Sequence, residues 1–256
     1  MNELERAWAL MDELGRRAAE RVVASPFGWG SVHEGLNRVY DLNYLRVTEP
    51  EEAAADELIA EAERIHDPAH FAHGSVRLDD AAAVDRLEPG FADAGWNCQR
   101  LVVMARLRAA DRSIDTSEVR VVDVETMRPV WAAGMRRDDQ IGGDEEVISQ
   151  LIRHKGEVTP SAVPTTYFAA FAGGAAVSSC ELYSLDGVGQ IESVMTDEAY
   201  RGRGLARAVV TRAAEESQSL GHELTFLVAV ADDWPRELYR KLGFDEIGSY
   251  GTFLRT

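Results

Sequence analysis

The chain has 256 residues, with 44 acidic against 27 basic side chains and a net charge of −17. With 45% apolar and 28% charged residues, this is the composition of an ordinary globular protein rather than a disordered acidic tail. Both halves are net acidic, which excludes a broad phosphate-backbone binder, and no apolar run approaches the ~18 residues of a membrane span.

Apolar residues Leu4, Trp8, Met11, Leu14, Ala18 and Val22 recur at three- and four-residue steps, predicting a helix from Glu3 to Val23. Ser25-Pro26-Phe27-Gly28 stops it. A strand is expected over Arg38–Thr48, a helix over Glu51–Ile65, a strand over Gly74–Leu78, a helix over Ala81–Ala92 and a strand over Arg100–Leu107. The polar segment Ala109–Ser117 reads as a connector, dividing the chain into an N-terminal α/β unit, 1–116, and a second unit, 117–256. After it come a β-branched strand, Val119–Val124, and helical patches near Arg128–Arg136 and Glu145–His154. Tyr167–Leu185 reads as a hairpin turning on Gly173-Gly174. A strand over Gly189–Thr196, a helix over Gly204–Leu220, a strand over Leu224–Val230, a helix over Pro235–Leu242 and a strand over Phe244–Leu254 complete a mixed α/β series.

The most informative segment is the strand end and turn before the penultimate long helix: Arg201-Gly202-Arg203-Gly204-Leu205-Ala206-Arg207. Glycines at 202 and 204 remove side chains where a ligand could press on the backbone. The first amides of a helix point outward unpaired, and the helix dipole with Arg201, Arg203 and Arg207 makes the turn an anion site suited to a diphosphate. The glycine spacing is not that of a dinucleotide fingerprint.

Arg201-x-x-Gly204-x-Ala206 after a strand resembles the acetyl-CoA signature of the GNAT superfamily of N-acetyltransferases, and Leu238-Tyr239-Arg240-Lys241-Leu242-Gly243-Phe244 resembles a second motif of that family at the expected distance. The resemblance covers the C-terminal half directly. It implies a GNAT-like mixed α/β fold and a strand that bulges and splays from its neighbour. The backbone of Val194, Met195 and Thr196 would pair with a pantetheine arm, and amides from Gly202 to Arg207 (202, 203, 204, 205, 206 and 207) would hold the diphosphate. It implies Tyr239 as the general acid for a departing thiolate. Family members often place the base at positions matching Gln190 or Glu192; glutamine cannot take a proton, leaving Glu192, with a surface or structural glutamate as the alternative. Alternation would put Gln190, Glu192 and Val194 on one face of the strand. Asp232 and Pro235 depart from the family's usual Asn and Ala.

Residues 38–108 repeat the strand–helix order, and Phe91-Ala92-Asp93-Ala94-Gly95-Trp96 lies over Tyr239 to Phe244 with the same spacing, suggesting a degenerate GNAT-like copy. There Phe91 replaces the acid, and Thr48 to Asp56, rich in carboxylates, replaces the glycine–arginine turn and would repel a diphosphate. His66, His70 and His73 have a spacing that invites a metal, but Pro68 interrupts the run, and a solvated loop with no metal is the expectation. Cys98 and Cys180 are expected as buried thiols rather than a disulfide. The resulting reading is a cytoplasmic acetyltransferase using acetyl-CoA as cosubstrate and no metal. It would act by direct attack of a primary amine of a small molecule or peptide, without nucleic-acid or membrane partners, and a homodimer is compatible with it. A non-catalytic acyl-CoA sensor is the alternative.

Overall fold

In a computed structural model that describes residues 1–67, 70–139 and 141–256, the chain starts as a helix where Asn2 can cap it. The Asn2 side chain accepts the Glu5 amide at 2.9 Å and Glu5 accepts the Asn2 amide in return, a reciprocal cap. This helix, α1 (Glu3–Ala18), ends well short of Val23. The residues beyond it form a hairpin absent from the sequence reading, β1 (Arg21–Ser25) and β2 (Gly28–Val32), turned on the Pro26 segment. Val22 is exposed, so its place in the helical period was coincidental.

The predicted strand over Arg38–Thr48 shrinks to β3 (Tyr44–Val47). The residues before it form a short 3-10 turn and tight turns, in which Asn43 satisfies the backbone of Leu36, Val39 and His33. The following elements lie close to expectation: α2 (Ala55–Ile65), β4 (Gly74–Leu78), α3 (Ala81–Asp93) and β5 (Asn97–Arg106). Then come β6 (Val119–Val122), α4 (Val124–Met135) and α5 (Glu145–Arg153), which runs through a π-helical turn, His154–Val158, into α6 (Thr159–Ala162). The hairpin β7 (Thr165–Ala172) and β8 (Ala175–Leu185) turns on Gly173 and Gly174, both at positive φ. The chain finishes with β9 (Val188–Thr196), α7 (Leu205–Ser219), β10 (Leu224–Val230), α8 (Pro235–Lys241) and β11 (Phe244–Arg255).

The eleven strands among the described residues join one mixed sheet in the order β1-β2-β3-β4-β11-β5-β10-β9-β8-β7-β6. Read outward from its centre, the order repeats. β11 and β5 pair, and beyond them β4 matches β10, β3 matches β9, and the hairpin β1–β2 matches β7–β8. β3 and β4 are parallel, as are β9 and β10, with α2 and α7 as their crossovers. Each half lends its last strand to the other, for β11 pairs with β4 and β5 pairs with β10. The N-terminal half thus repeats the C-terminal architecture.

One face of the sheet is covered by α2 and α3 over Leu45, Val47, Val76, Leu78 and Phe253, and by α7 and α8 over Phe168, Leu182, Ile191, Leu227 and Phe244. The other face is covered by α1 over Val103, Phe226 and Tyr250, and by α4 over Tyr167 and Ala169. Among the described residues no helix is long and apolar enough to cross a membrane.

Candidate active site

The pairing of β9 with β10 ends at Ile191 opposite Leu227, although both strands run on. Beyond that point the strands part, and β9 carries an unpaired edge. On its other edge the register with β8 shifts between Ser179 and Glu181, so Ser193 and Val194 together face Cys180. Ser193 holds φ +55, one of two non-glycine residues at positive φ among those described. This is the bulge and splay that the family resemblance implies. The bulge overturns the expectation that Gln190, Glu192 and Val194 share a face. Its extra residue inverts the alternation, so Val194 packs beside Ile191 under α7, while Met195 lies against α4 on the opposite side.

A π-helical turn holds the bulge. Lys155 within it donates to the Ser193 hydroxyl and, at 2.9 Å, to Glu181, which is fully buried and also accepts the Tyr183 hydroxyl at 2.6 Å. The Tyr167 hydroxyl donates to the Lys155 carbonyl.

From the splay a cleft of about 1080 Å³ opens toward the head of α7. Val194, Met195, Thr196, Arg201, Gly202, Gly204, Leu205, Ala206, Arg207 and Tyr239 line it together. Arg203 is not among the lining residues; its guanidinium turns back to the Ala199 carbonyl and over the Tyr200 ring. Gly204 caps α7 at φ +83, and among the described residues no hydrogen bond reaches the amides of residues 202–207. A Cβ at Gly202 or Gly204 would meet open space, so the turn is shaped by backbone conformation and not by crowding. Six amides without partners, no carboxylate in the first turn of the helix, and Arg201 and Arg207 at the wall together suit a diphosphate. The sequence reading missed Arg112, Arg137 and Trp234, which also line the cleft. They come from the connector, the end of α4 and the loop before α8, and no motif links them. Pro235 lines the cleft at the first position of α8, where a missing amide proton costs nothing.

Tyr239 stands on α8 with its ring buried against Phe244. Burial, and then the nearby charge of Glu192, push its phenol above the ordinary range. Glu192 lies half-buried on β9, its carboxylate accepting the Gln190 amide at 2.7 Å. Burial pushes Glu192 up to about 7, against the Gln190 hydrogen bond and the charge of Lys155, with Asp41 and Glu181 adding to the rise. The structure therefore brings Tyr239 and Glu192 within electrostatic reach across the splay, with Glu192 paired to a glutamine rather than to an arginine.

The histidine run is only in part a solvated loop where it is described: His70 is exposed, whereas the other two histidines are not. His66 and His73 are buried and meet the carbonyls of Ser31 and Asn43 at 2.7 and 3.4 Å; Pro68 lies outside the described residues. Both cysteines are free, Cys180 buried and Cys98 only partly so.

The model of the "Acetyltransferase (GNAT) family" matches residues 136–244. Among solved structures, a GCN5-related N-acetyltransferase from Kribbella flavida is similar at 18% identity and a TM-score of 0.65, over 98% of this chain and 94% of that one. A conserved protein of unknown function from Staphylococcus epidermidis aligns at 11% identity and a TM-score of 0.64, over 93% and 94%. A GCN5-related N-acetyltransferase from Sphaerobacter thermophilus gives 16%, a TM-score of 0.51, and coverage of 75% and 64%. No curated protein matches the sequence.

Proposed function

With residues 136–244 forming a domain of the GNAT acetyltransferase family, we propose that the protein is an acetyl-CoA-dependent N-acetyltransferase acting on a primary amine of a small molecule or peptide in the cytoplasm. The observation that carries this reading is the row of unpartnered amides at residues 202–207, at one end of a cleft whose other end reaches Tyr239 and the splayed edge of β9.

Acetyl-CoA supplies an acetyl thioester, an electrophilic carbonyl with a thiolate leaving group. Amides 202–207, with Arg201 and Arg207, hold the diphosphate, and the free edge of Val194, Met195 and Thr196 pairs with the pantetheine arm as an added strand. Arg203 contributes its amide rather than its side chain. Glu192, poised near neutrality, takes a proton from the acceptor ammonium directly or through water. An amide of the bulge near Val194 faces the developing oxyanion. Tyr239 keeps its proton at neutral pH, because burial and Glu192 raise its phenol, and so has one to donate to the thiolate. The division at 116/117 is read as two GNAT-like halves, the second active and the first walling the acceptor site. The test is release of free thiol from acetyl-CoA with a panel of amines: release confirms transfer, and binding of acetyl-CoA without release under every amine refutes it.

A further inference from the structure

Two glutamates stand directly opposite each other on neighbouring strands, Glu181 of β8 and Glu192 of β9. Residues paired in this way project to one face with Cβ atoms ~5 Å apart, and like charges there repel. Each carboxylate has its own partners. Glu192 accepts the Gln190 amide at 2.7 Å. Glu181, fully buried, accepts the Tyr183 hydroxyl at 2.6 Å on one oxygen and the Lys155 ammonium at 2.9 Å on the other. A carboxylate this deep in a sheet is costly unless such a cation meets it.

Lys155 does more than compensate Glu181. The same ammonium donates to the hydroxyl of Ser193, the bulge residue held at φ +55. A side chain at positive φ is strained and persists only where its surroundings hold it. Lys155 is itself fixed. Its carbonyl accepts the Tyr167 hydroxyl at 2.9 Å, its Nζ lies 5.7 Å from the centre of the Trp131 ring, and the Trp131 and Tyr167 rings meet edge to face. One cation thus joins the strained residue of the bulge to the carboxylate that faces Glu192.

We propose that Lys155 is a positioning residue for acetyl transfer: it holds the Ser193 bulge so that the neighbouring amides face the thioester, and it keeps Glu181 compensated opposite Glu192. Its part in transfer rests on the proposed function; its hold on the bulge and on Glu192 does not. Glu192 is pulled both ways. The Gln190 hydrogen bond and the Lys155 charge lower it, while burial and the charges of Asp41 and Glu181 raise it. The phenols of Tyr183, Tyr239 and Tyr250 feel its charge in turn. The Lys155 charge also reaches Asp41 and His154; burial first, and then that charge, push His154 down to about 3, so it adds no cation at neutral pH. Removing Lys155 alone leaves Glu192 opposite an uncompensated carboxylate and drives it above about 7. Removing Lys155 and the Glu181 charge together takes away one influence of each sign.

The test reads Glu192 by carbon-13 NMR titration of glutamate-labelled protein, with Glu192→Gln identifying its signal, alongside thiol release from acetyl-CoA. In Lys155→Met the midpoint should rise by about one pH unit, and the inflection in kcat/KM should rise with it. Because that variant strands Glu181, a neutral pair, Lys155→Met with Glu181→Gln, supplies a second form without a buried lone charge. Circular dichroism reports that each variant is folded. In the neutral pair the midpoint should stay within about half a pH unit of wild type, yet kcat should fall about ten- to a hundredfold, the range for losing a hydrogen bond from a charged group. Ser193→Ala should lose a similar amount with the lysine in place. Adding it to the neutral pair should cost little more, since both changes remove one interaction. Full rates in Ser193→Ala and in the neutral pair, or an unmoved midpoint in folded Lys155→Met, overturn the proposal and leave acetyl transfer standing. A wild type that releases no thiol with any amine, and whose Glu192 midpoint still rises in Lys155→Met, overturns transfer and leaves the hold of Lys155 on Glu192 standing.

Discussion

The turn from β9 to α7 and the turn from β3 to α2 occupy equivalent places in the two halves, each joining the first strand of a parallel pair to its crossover helix. Their chemistry is opposite. Before α7 the chain offers Gly202 and Gly204 and amides without partners. Before α2 it offers Glu49, Glu51 and Glu52, the Glu57 carboxylate takes the Ala54 amide at 3.0 Å, and Arg86 ties down the carbonyls of Ala53 and Pro50. The same backbone path is thus open to an anion in one half and closed by its own side chains in the other. The motif that follows diverges in the same way. Tyr239 keeps a hydroxyl where Phe91 has none, and the Phe91 ring is stacked on Phe253 at 4.0 Å as part of a core. A duplicated architecture keeps its fold through apolar packing, while its chemistry depends on a few polar positions that packing does not protect.

Four experiments test that contrast. Tyr239→Phe gives α8 the side chain found at the matching place in α3; kcat should fall by about a hundredfold or more, with coenzyme A affinity unchanged by calorimetry. Equal rates would remove Tyr239 from the mechanism. Gly204→Asp puts a carboxylate at the head of α7, as Glu57 does in the first turn of α2. Coenzyme A should bind about ten- to a hundredfold more weakly by calorimetry, and the melting temperature should fall by a few degrees, since a side chain at φ +83 is strained. Undiminished affinity would show that the amides are not the diphosphate site.

The pH dependence comes next in size. Glu192 is raised to about 7, so its basic form grows as pH rises through that value. Below it, kcat/KM should fall close to tenfold per pH unit. Glu192→Gln should remove that inflection; its survival would assign the base elsewhere. Finally, titration should give one coenzyme A per chain. Two would mean that the N-terminal turn binds despite its carboxylates, and the contrast between the halves would be lost.

Much of the C-terminal half was legible because its signals are local. The periodicity of α7, the apolar run of β10 and the paired glycines before β8 each act within one element. The N-terminal hairpin was not, since Val22 fits a helical period as well as a strand, and only pairing with β2 chooses between them. Of the candidate site, the turn at 201–207 and Tyr239 were readable as motifs. Arg112, Arg137 and Trp234 were not, for they join the cleft from elements with no sequence relation to it. The orientation of Val194 could not be read either, because alternation holds only while a strand stays in register.

The amino-acid sequence by itself determined the mixed α/β class, the glycine–arginine turn and the presence of a phenol on the helix that follows β10, since each depends on neighbours a few residues away. Tertiary structure alone decided that β5 and β11 exchange halves, that a π-helical lysine pins the bulge at Ser193, and that burial lifts Glu192 toward neutrality on the strand that parts from β10. Those facts depend on strands brought together from distant parts of the chain, where burial and unmet charge arise only once the sheet has closed.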